Sequence, residues 1–353
     1  MRSSDEAKVS SQLKFYPFYE RLNVKLAGTV VSKIGISALL GLAFLALHYA
    51  AIGKQVFSDW SWFLAVLIGV VMLCLYFATA TLRTLVAALV LQRPPPGKLA
   101  SLTALTRILS DRNFVFAGSL GGLVNCIAGY SFGLPYAGAP AAITILIGYF
   151  LAGFICGMAV LGIYAVCVTI VRFSETPGHF FDFTAPDGCG GTLFVGQALV
   201  VFSSVSLIAG VMISIYIIKT NWTGQELWWA ASLKGFWIVA PYIMSLLVLI
   251  VPAIPLHSEL LRFKEEQEVL LKRRLAEIRK SLEDHQTDAA QRRDLRDDYE
   301  FGQSVRRDLH KMRTWPFGTG TGLTYIGVFG SNVIASKSIV ANTLTWLRTL
   351  WPW

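Results

Sequence analysis

Apolar residues along this chain gather in uninterrupted blocks, and six of these blocks are long enough to cross a lipid bilayer. A helix of ~20 apolar residues spans the hydrocarbon core of a bilayer. The pattern therefore predicts six transmembrane helices, at residues 34–52, 60–82, 114–134, 141–171, 193–218 and 236–254. The fourth block is too long to stand upright, so we expect that helix to tilt or to extend beyond the bilayer.

A different pattern begins after residue 255, where apolar positions recur on an otherwise charged stretch with the spacing of one helix face. These positions are Leu256, Leu260, Phe263, Leu271, Leu275, Ile278 and Leu282. The polar run 284–287 interrupts them, and Thr287 or Asp288 is suited to cap a second helix. We predict an antiparallel helical hairpin over residues 256–314.

The two ends of the chain differ from both patterns. Residues 1–33 form a polar tail of mixed charge. Residues 315–353 are rich in Trp and are predicted to lie at the membrane interface, with a re-entrant segment or a weak seventh span as the alternative. We expect no signal peptide, because the first apolar block starts late and lacks a small-residue cleavage site. The predicted fold is all-α and polytopic, with the six-helix domain at 34–255.

Composition and charge agree with this organisation. The chain is 54% apolar and 15% charged, which excludes a soluble globular protein. The net charge of +9 comes from basic tails and loops that six spans place on one side, and the positive-inside rule makes that side cytoplasmic. Both termini and the hairpin are thus predicted to be cytoplasmic. The mixed charges of the hairpin argue against nucleic acid as a partner.

Ionisable groups within the spans would mark a transport pathway, because they are costly in lipid. The predicted spans contain no Asp or Glu, and His48 is the titratable residue in their interior. The lack of carboxylates argues against a proton-coupled carrier. We expect His48 to be a hydrogen-bonded structural residue. Three G-x-x-x-G pairs in the third and fourth spans predict close helix packing, within one subunit or between subunits. The pairs are Gly118 with Gly122, Gly129 with Gly133, and Gly153 with Gly157. Pro241 predicts a kink in the sixth span that could serve gating.

The loop at 172–192 has the densest polar chemistry of the chain. His179, Asp182, Asp187 and Cys189 are our candidates for contact with a ligand or partner. Their spacing matches no zinc pattern, and the five cysteines form no C-x-x-C pair. Pro186-Asp187-Gly188 is a strong turn signal, so we interpret the loop as a rigid turn. We predict no catalytic residue, metal or cofactor.

Three short motifs give the chain a family resemblance. Pro186-Asp187-Gly188-Cys189-Gly190-Gly191 resembles the H-P-D-x-x-G-G loop of a loose group of uncharacterised bacterial multi-pass membrane proteins, with Ala185 in place of the His. Pro255-Leu256-His257 after the last span and Trp315-Pro316-Phe317 further on are also similar to that group. The resemblance implies a bacterial inner-membrane location and no activity.

These observations favour a non-enzymatic membrane protein that forms a homo-oligomer or binds a protein partner through 256–314, with the spans acting as an anchor, a sensor or an ion-permeable pore. Two alternatives stay open. One is a transporter of a neutral or apolar solute, and the other is a membrane-surface enzyme that uses the 172–192 loop.

Overall fold

The computed structural model describes residues 17–25, 28–91, 96–134, 138–176, 181–220, 222, 229–283 and 289–317. Of these residues 86% are helical, and none of them lies in a strand. Six helical stretches in this part of the chain are long and apolar enough to cross a membrane. The chain is therefore an all-α, multi-pass membrane protein, as its hydrophobic pattern predicts.

We number the helices of the described residues in chain order. They are α1 (Phe18–Lys25), α2 (Val30–Ile52), α3 (Gln55–Ser58), α4 (Trp62–Leu91), α5 (Pro96–Ile108), α6 (Asp111–Ser131), α7 (Ala139–Glu175), α8 (Leu193–Lys219), α9 (Ala230–Ile250), α10 (Ala253–Glu283) and α11 (Ala289–Lys311). The spans are α2, α4, α6, α7, α8 and a sixth stretch that starts in α9 and continues into α10.

Several helices extend beyond their predicted ends. α4 continues to Leu91 instead of residue 82, and α7 continues to Glu175 instead of residue 171. Hydropathy marks the bilayer core, whereas backbone hydrogen bonding carries a helix further into the polar region. Three helices, α1, α3 and α5, were not predicted. α1 has eight residues and α3 has four, too few to show a period, and α5 starts at Pro96-Gly97, which reads as a turn.

α4 lies at the centre of the bundle and packs against α2, α7 and α8. Its buried side chains include Leu64, Ile68 and Tyr76, which belong to one continuous apolar core. α6 packs against α7, and α9 packs against α8. Side chains on the outer faces, such as Phe116 and Ile127 of α6, are exposed. This exposure suits helices whose outer faces contact lipid, since only their inner faces meet protein.

α10 and α11 form the predicted antiparallel hairpin. Leu275 of α10 faces Gly302 of α11. The Lys264 ammonium group donates hydrogen bonds of 2.9 Å to the carbonyl oxygens of His310 and Met312 near the end of α11. An early part of α10 thus lies beside the late part of α11. Residues 284–288, which contain the predicted interruption and cap, lie outside the described residues. We call the end of the bundle that carries this hairpin the hairpin side.

Candidate functional site

Asp187 organises the loop between α7 and α8. Its Oδ1 accepts hydrogen bonds from the backbone N–H groups of Cys189 at 2.8 Å and Gly191 at 3.0 Å. Its Oδ2 accepts one of 3.0 Å from the N–H of Leu193, the first residue of α8. A carboxylate at a helix N-terminus is favourable because it pairs with free N–H groups and with the helix dipole. Asp187 therefore stabilises the turn and starts α8.

The other candidates of this loop also have structural contacts. Asp182 accepts hydrogen bonds from the backbone N–H and the hydroxyl of Thr184, at 2.8 and 2.6 Å. The Cys189 side chain is buried, and this burial raises the pKa of its thiol, so a reactive thiolate is disfavoured. His179 lies outside the described residues. Within the described part of the chain, no three His, Cys, Asp or Glu side chains are grouped as metal ligands.

The end of the hairpin docks directly onto this loop. The N–H of Arg313, two residues after α11, donates a 2.8 Å hydrogen bond to the carbonyl of Gly188. Gly188 has φ +62° and Gly190 has φ +64°, as the Pro-Asp-Gly signal and the following glycines require. A Cβ on Gly190 would lie 2.6 Å from Met312. The loop can thus approach the hairpin closely because it lacks side chains here.

Apolar side chains seal the same contact. The rings of Phe181 in the loop and Phe263 in α10 are 5.5 Å apart between centroids. Leu256, Leu260 and Met312 are buried beside them in the main core. The hairpin is therefore attached to the membrane bundle by packing as well as by its covalent link to α9.

The Trp-Pro-Phe element completes this contact. Trp315 stacks on His257 of α10 with ring centroids 4.3 Å apart, and His257 Nδ1 lies 3.1 Å from the Thr314 carbonyl, to which it donates. The Pro316 carbonyl lies against Gly196 in the first turn of α8. The three motifs of the family resemblance, far apart in sequence, meet at one place. We call it the base junction, formed by residues 181–196, 256–263 and 312–317. Residues 318–353 of the predicted interface segment lie outside the described residues.

The predicted packing glycines lie between α6 and α7. Gly118 faces the ring of Phe154, Gly122 faces Phe150, and Gly129 faces Tyr149. Gly153 approaches the Gly121 carbonyl, and a Cβ there would lie 2.5 Å from that oxygen. Gly157 approaches the carbonyl of Ala117. These glycines pack α6 on α7 within one chain. Gly133 follows α6 with φ +80°, so it turns the backbone after the helix.

Two other predicted residues also contribute to helix packing. Pro241 lies inside α9, where a Cβ on Gly210 of α8 would be 2.8 Å away from it. His48 is buried in α2, and its Nδ1 is 2.8 Å from the Thr144 hydroxyl of α7. Since that hydroxyl donates to the Ala141 carbonyl, His48 Nδ1–H donates to it. His48 thus has the hydrogen-bonded role that we expected.

The sequence reasoning missed a polar cluster around α1. Glu20 is fully buried, and both its carboxylate oxygens lie within 2.8 Å of Nη2 of Arg83 in α4. Arg21 pairs with Asp111 at the start of α6, and Asn23 accepts a hydrogen bond from Ser32. Burial raises the pKa of Glu20, and the positive charges of Arg83 and Lys33 oppose that rise. Arg83 of α4 thus meets a carboxylate from the tail.

No protein-family model, curated protein or solved structure matches the chain.

Proposed function

We propose that this chain is a non-enzymatic multi-pass protein of the bacterial inner membrane, with both ends cytoplasmic, that assembles with itself or with a cytoplasmic protein through α10 and α11. One observation carries the proposal: the hairpin packs against the membrane bundle at the base junction, while most of its length is exposed. α10 has 31 residues, so it is about 46 Å long. Such a helix holds a binding surface at a fixed position beside the membrane.

The exposed part of the hairpin carries apolar side chains that lack the protection of the core. Val269, Leu270 and Phe301 are 48%, 56% and 69% exposed. Residues 264–283 and 291–308 are described throughout, and only Leu275 and Gly302 are buried within them. Large apolar side chains on a charged arm are expected to be covered in an assembly, which supports a protein partner.

Positive and negative side chains on the exposed part of the hairpin pair with one another within α10. Arg262 pairs with Glu266, Lys272 with Glu268, and Arg279 with Glu283, each four residues apart. These ion pairs keep the exposed part of the hairpin soluble. They leave no surface of one charge sign that would attract nucleic acid or anionic lipid. This balance supports a protein surface as the partner.

The base junction gives less support to the enzyme alternative. Both carboxylate oxygens of Asp187 accept hydrogen bonds from backbone N–H groups, and the Cys189 side chain is buried. The Asp187 hydrogen bonds order the loop onto which the hairpin docks. They favour a structural role for this loop over catalysis.

Mass measurement of the full-length protein in mild detergent tests the proposal. We expect wild type to be larger than one chain, or to carry a stoichiometric protein partner. The double variant Leu270→Glu and Phe301→Glu should lose that added mass. The matched control Gln291→Glu adds charge at an exposed position of α11 without removing an apolar side chain, and should keep it. A wild-type protein that is monomeric and partner-free, or equal loss in the control, would contradict the proposal.

A further inference from the structure

A small cavity lies inside the bundle beside α1. Side chains of α4, α6, α7 and α8 form its wall together with Tyr19 of α1. The wall is almost wholly apolar, with Phe114, Ala159 and Phe202 among its residues. The free space at its centre is about 20 Å³, enough for roughly one water molecule. A cavity with this lining favours apolar atoms over water.

Gly162 shows where the cavity reaches the backbone of α7. A Cβ on Gly162 would meet no atom within 4 Å. On the same helix, a Cβ on Gly153 or Gly157 would collide with backbone atoms of α6. The missing side chain at Gly162 is thus unrelated to helix packing, and it leaves space at the cavity wall.

Tyr19 forms hydrogen bonds that satisfy the polar groups of the cavity wall. Thr79 donates its hydroxyl hydrogen to the Leu75 carbonyl. The Tyr19 hydroxyl, 2.8 Å from Thr79 Oγ1, therefore donates to Thr79. Tyr76 donates a 3.1 Å hydrogen bond to the carbonyl of Tyr19. The tyrosine hydroxyl is bonded to the wall itself, so the remaining surface is suited to a hydrocarbon.

Polar contacts attach α1 to three different helices, and the Tyr19 ring also packs against Tyr76 and Phe114 in the apolar core. Glu20 pairs with Arg83 of α4, Arg21 pairs with Asp111 of α6, and Asn23 accepts from Ser32 of α2. Buried ion pairs stabilise little once desolvation is counted, and they are attested as switch elements. None of these contacts involves the glycines that pack α6 on α7, so α1 and the spans are held by separate groups.

We propose that the cavity is a binding site for the end of a neutral apolar chain, and that α1 is the gate through which the chain enters from the hairpin side. In the closed state Tyr19 occupies the entrance. Displacement of Tyr19 joins the entrance to the space beside Gly162, which makes room for several methylene groups. This site is independent of the assembly surface on α10 and α11, so either proposal can fail alone.

Photolabelling of the full-length protein in lipid nanodiscs tests the site. The probe is a long-chain alcohol with a diazirine on its terminal carbon, and the labelled residues are mapped by mass spectrometry. Ala159, Gly162 and Ile163 report the cavity, whereas Val160 and Tyr164 of the same helix are exposed and report the bilayer. We expect Tyr19→Ala to raise cavity labelling several-fold over wild type. Adding Gly162→Leu should abolish the increase, while labelling of Val160 and Tyr164 stays constant.

Two further variants keep the test decisive if Tyr19→Ala does not fold. Tyr19→Phe removes only the hydroxyl that bonds Thr79 and should give a smaller increase. Gly162→Ala adds a methyl group where no atom lies within 4 Å and should lower the labelling of Ala159 and Ile163. Cavity labelling that is equal in wild type and all variants, or labelling confined to Val160 and Tyr164, would overturn the proposal.

Discussion

The α6–α7 pair and the α10–α11 hairpin are both antiparallel helix pairs, but they are built by different means. α6 and α7 meet through Gly121, Gly153 and Gly157, which bring the two backbones into contact. In the hairpin, Leu275 of α10 packs on Gly302 of α11, and the charged side chains lie outside. Lipid provides no hydrophobic force between helices, so membrane pairs depend on close packing of small residues. Water provides that force, so the hairpin uses large apolar side chains.

The largest expected effect comes from filling the α6–α7 contact. Gly157→Leu places a side chain against the Ala117 carbonyl, and backbone atoms cannot give way as a flexible side chain does. We expect a loss of at least about 3 kcal/mol of stability or no folded protein. Gly35→Leu is the matched control, because Gly35 is exposed in α2 and a Cβ there meets nothing. Thermal unfolding in detergent measures both, and equal behaviour of the two variants would contradict the close-packing account.

Much of this architecture could be predicted from the sequence, because hydropathy blocks and the period of apolar positions depend on local residues. The six spans, the hairpin and the glycine spacing were visible in that way. The base junction could not be predicted, since it joins Gly188, His257 and Trp315 from three distant segments. Glu20 was missed for a similar reason. A single carboxylate in a polar tail is expected to be exposed to water as long as its partner in α4 is unknown.

A variant of Asp187 tests the loop that connects the membrane helices to the hairpin. Asp187→Ala removes the acceptor of three backbone N–H groups, and we expect a loss of about 2–3 kcal/mol. The loop should open, so Cys189 should react faster with a maleimide than the buried thiol of wild type. Thiol labelling rates of the full-length protein measure this change.

Asp182→Ala is the control for Asp187→Ala. The Asp182 carboxylate accepts from Thr184, and the residue is exposed, so removing this side chain should leave the Cys189 rate near the wild-type value. A rate that rises equally in both variants would show that Asp187 has no special role in the loop.

Leu275 tests the hairpin alone. Leu275→Ala removes a buried side chain that packs on Gly302, and we expect the hairpin to lose about 2 kcal/mol. Hydrogen exchange should accelerate within α10 and α11 and stay unchanged in α6 and α7. Lys280→Ala is the control, because Lys280 is an exposed residue of the same helix outside the proposed assembly surface. Acceleration that spreads into α6 and α7 would mean that the two regions are one cooperative unit.

The smallest expected effect concerns charge, which the two regions also treat differently. Glu20 is buried against Arg83, whereas Glu268 pairs with Lys272 on the exposed hairpin. Burial raises the pKa of Glu20 above its ordinary value. As the pH is lowered, Glu20 therefore takes up a proton at a higher pH in the folded protein than in the unfolded chain. Stability should therefore rise as the pH falls through the raised pKa, and it should be lower above that pKa, where Glu20 is charged.

Glu20→Gln mimics the protonated form and separates the two terms that act on this carboxyl. If the cost of desolvation exceeds the attraction from Arg83 and Lys33, the variant should be as stable as wild type at neutral pH or more stable, within about 1 kcal/mol. It should also lose the pH dependence that Glu20 contributes. Glu268→Gln should leave the melting temperature unchanged. A clearly less stable Glu20→Gln variant would mean that Arg83 and Lys33 outweigh desolvation, and that α1 is held by its ion pair more firmly than a gate allows.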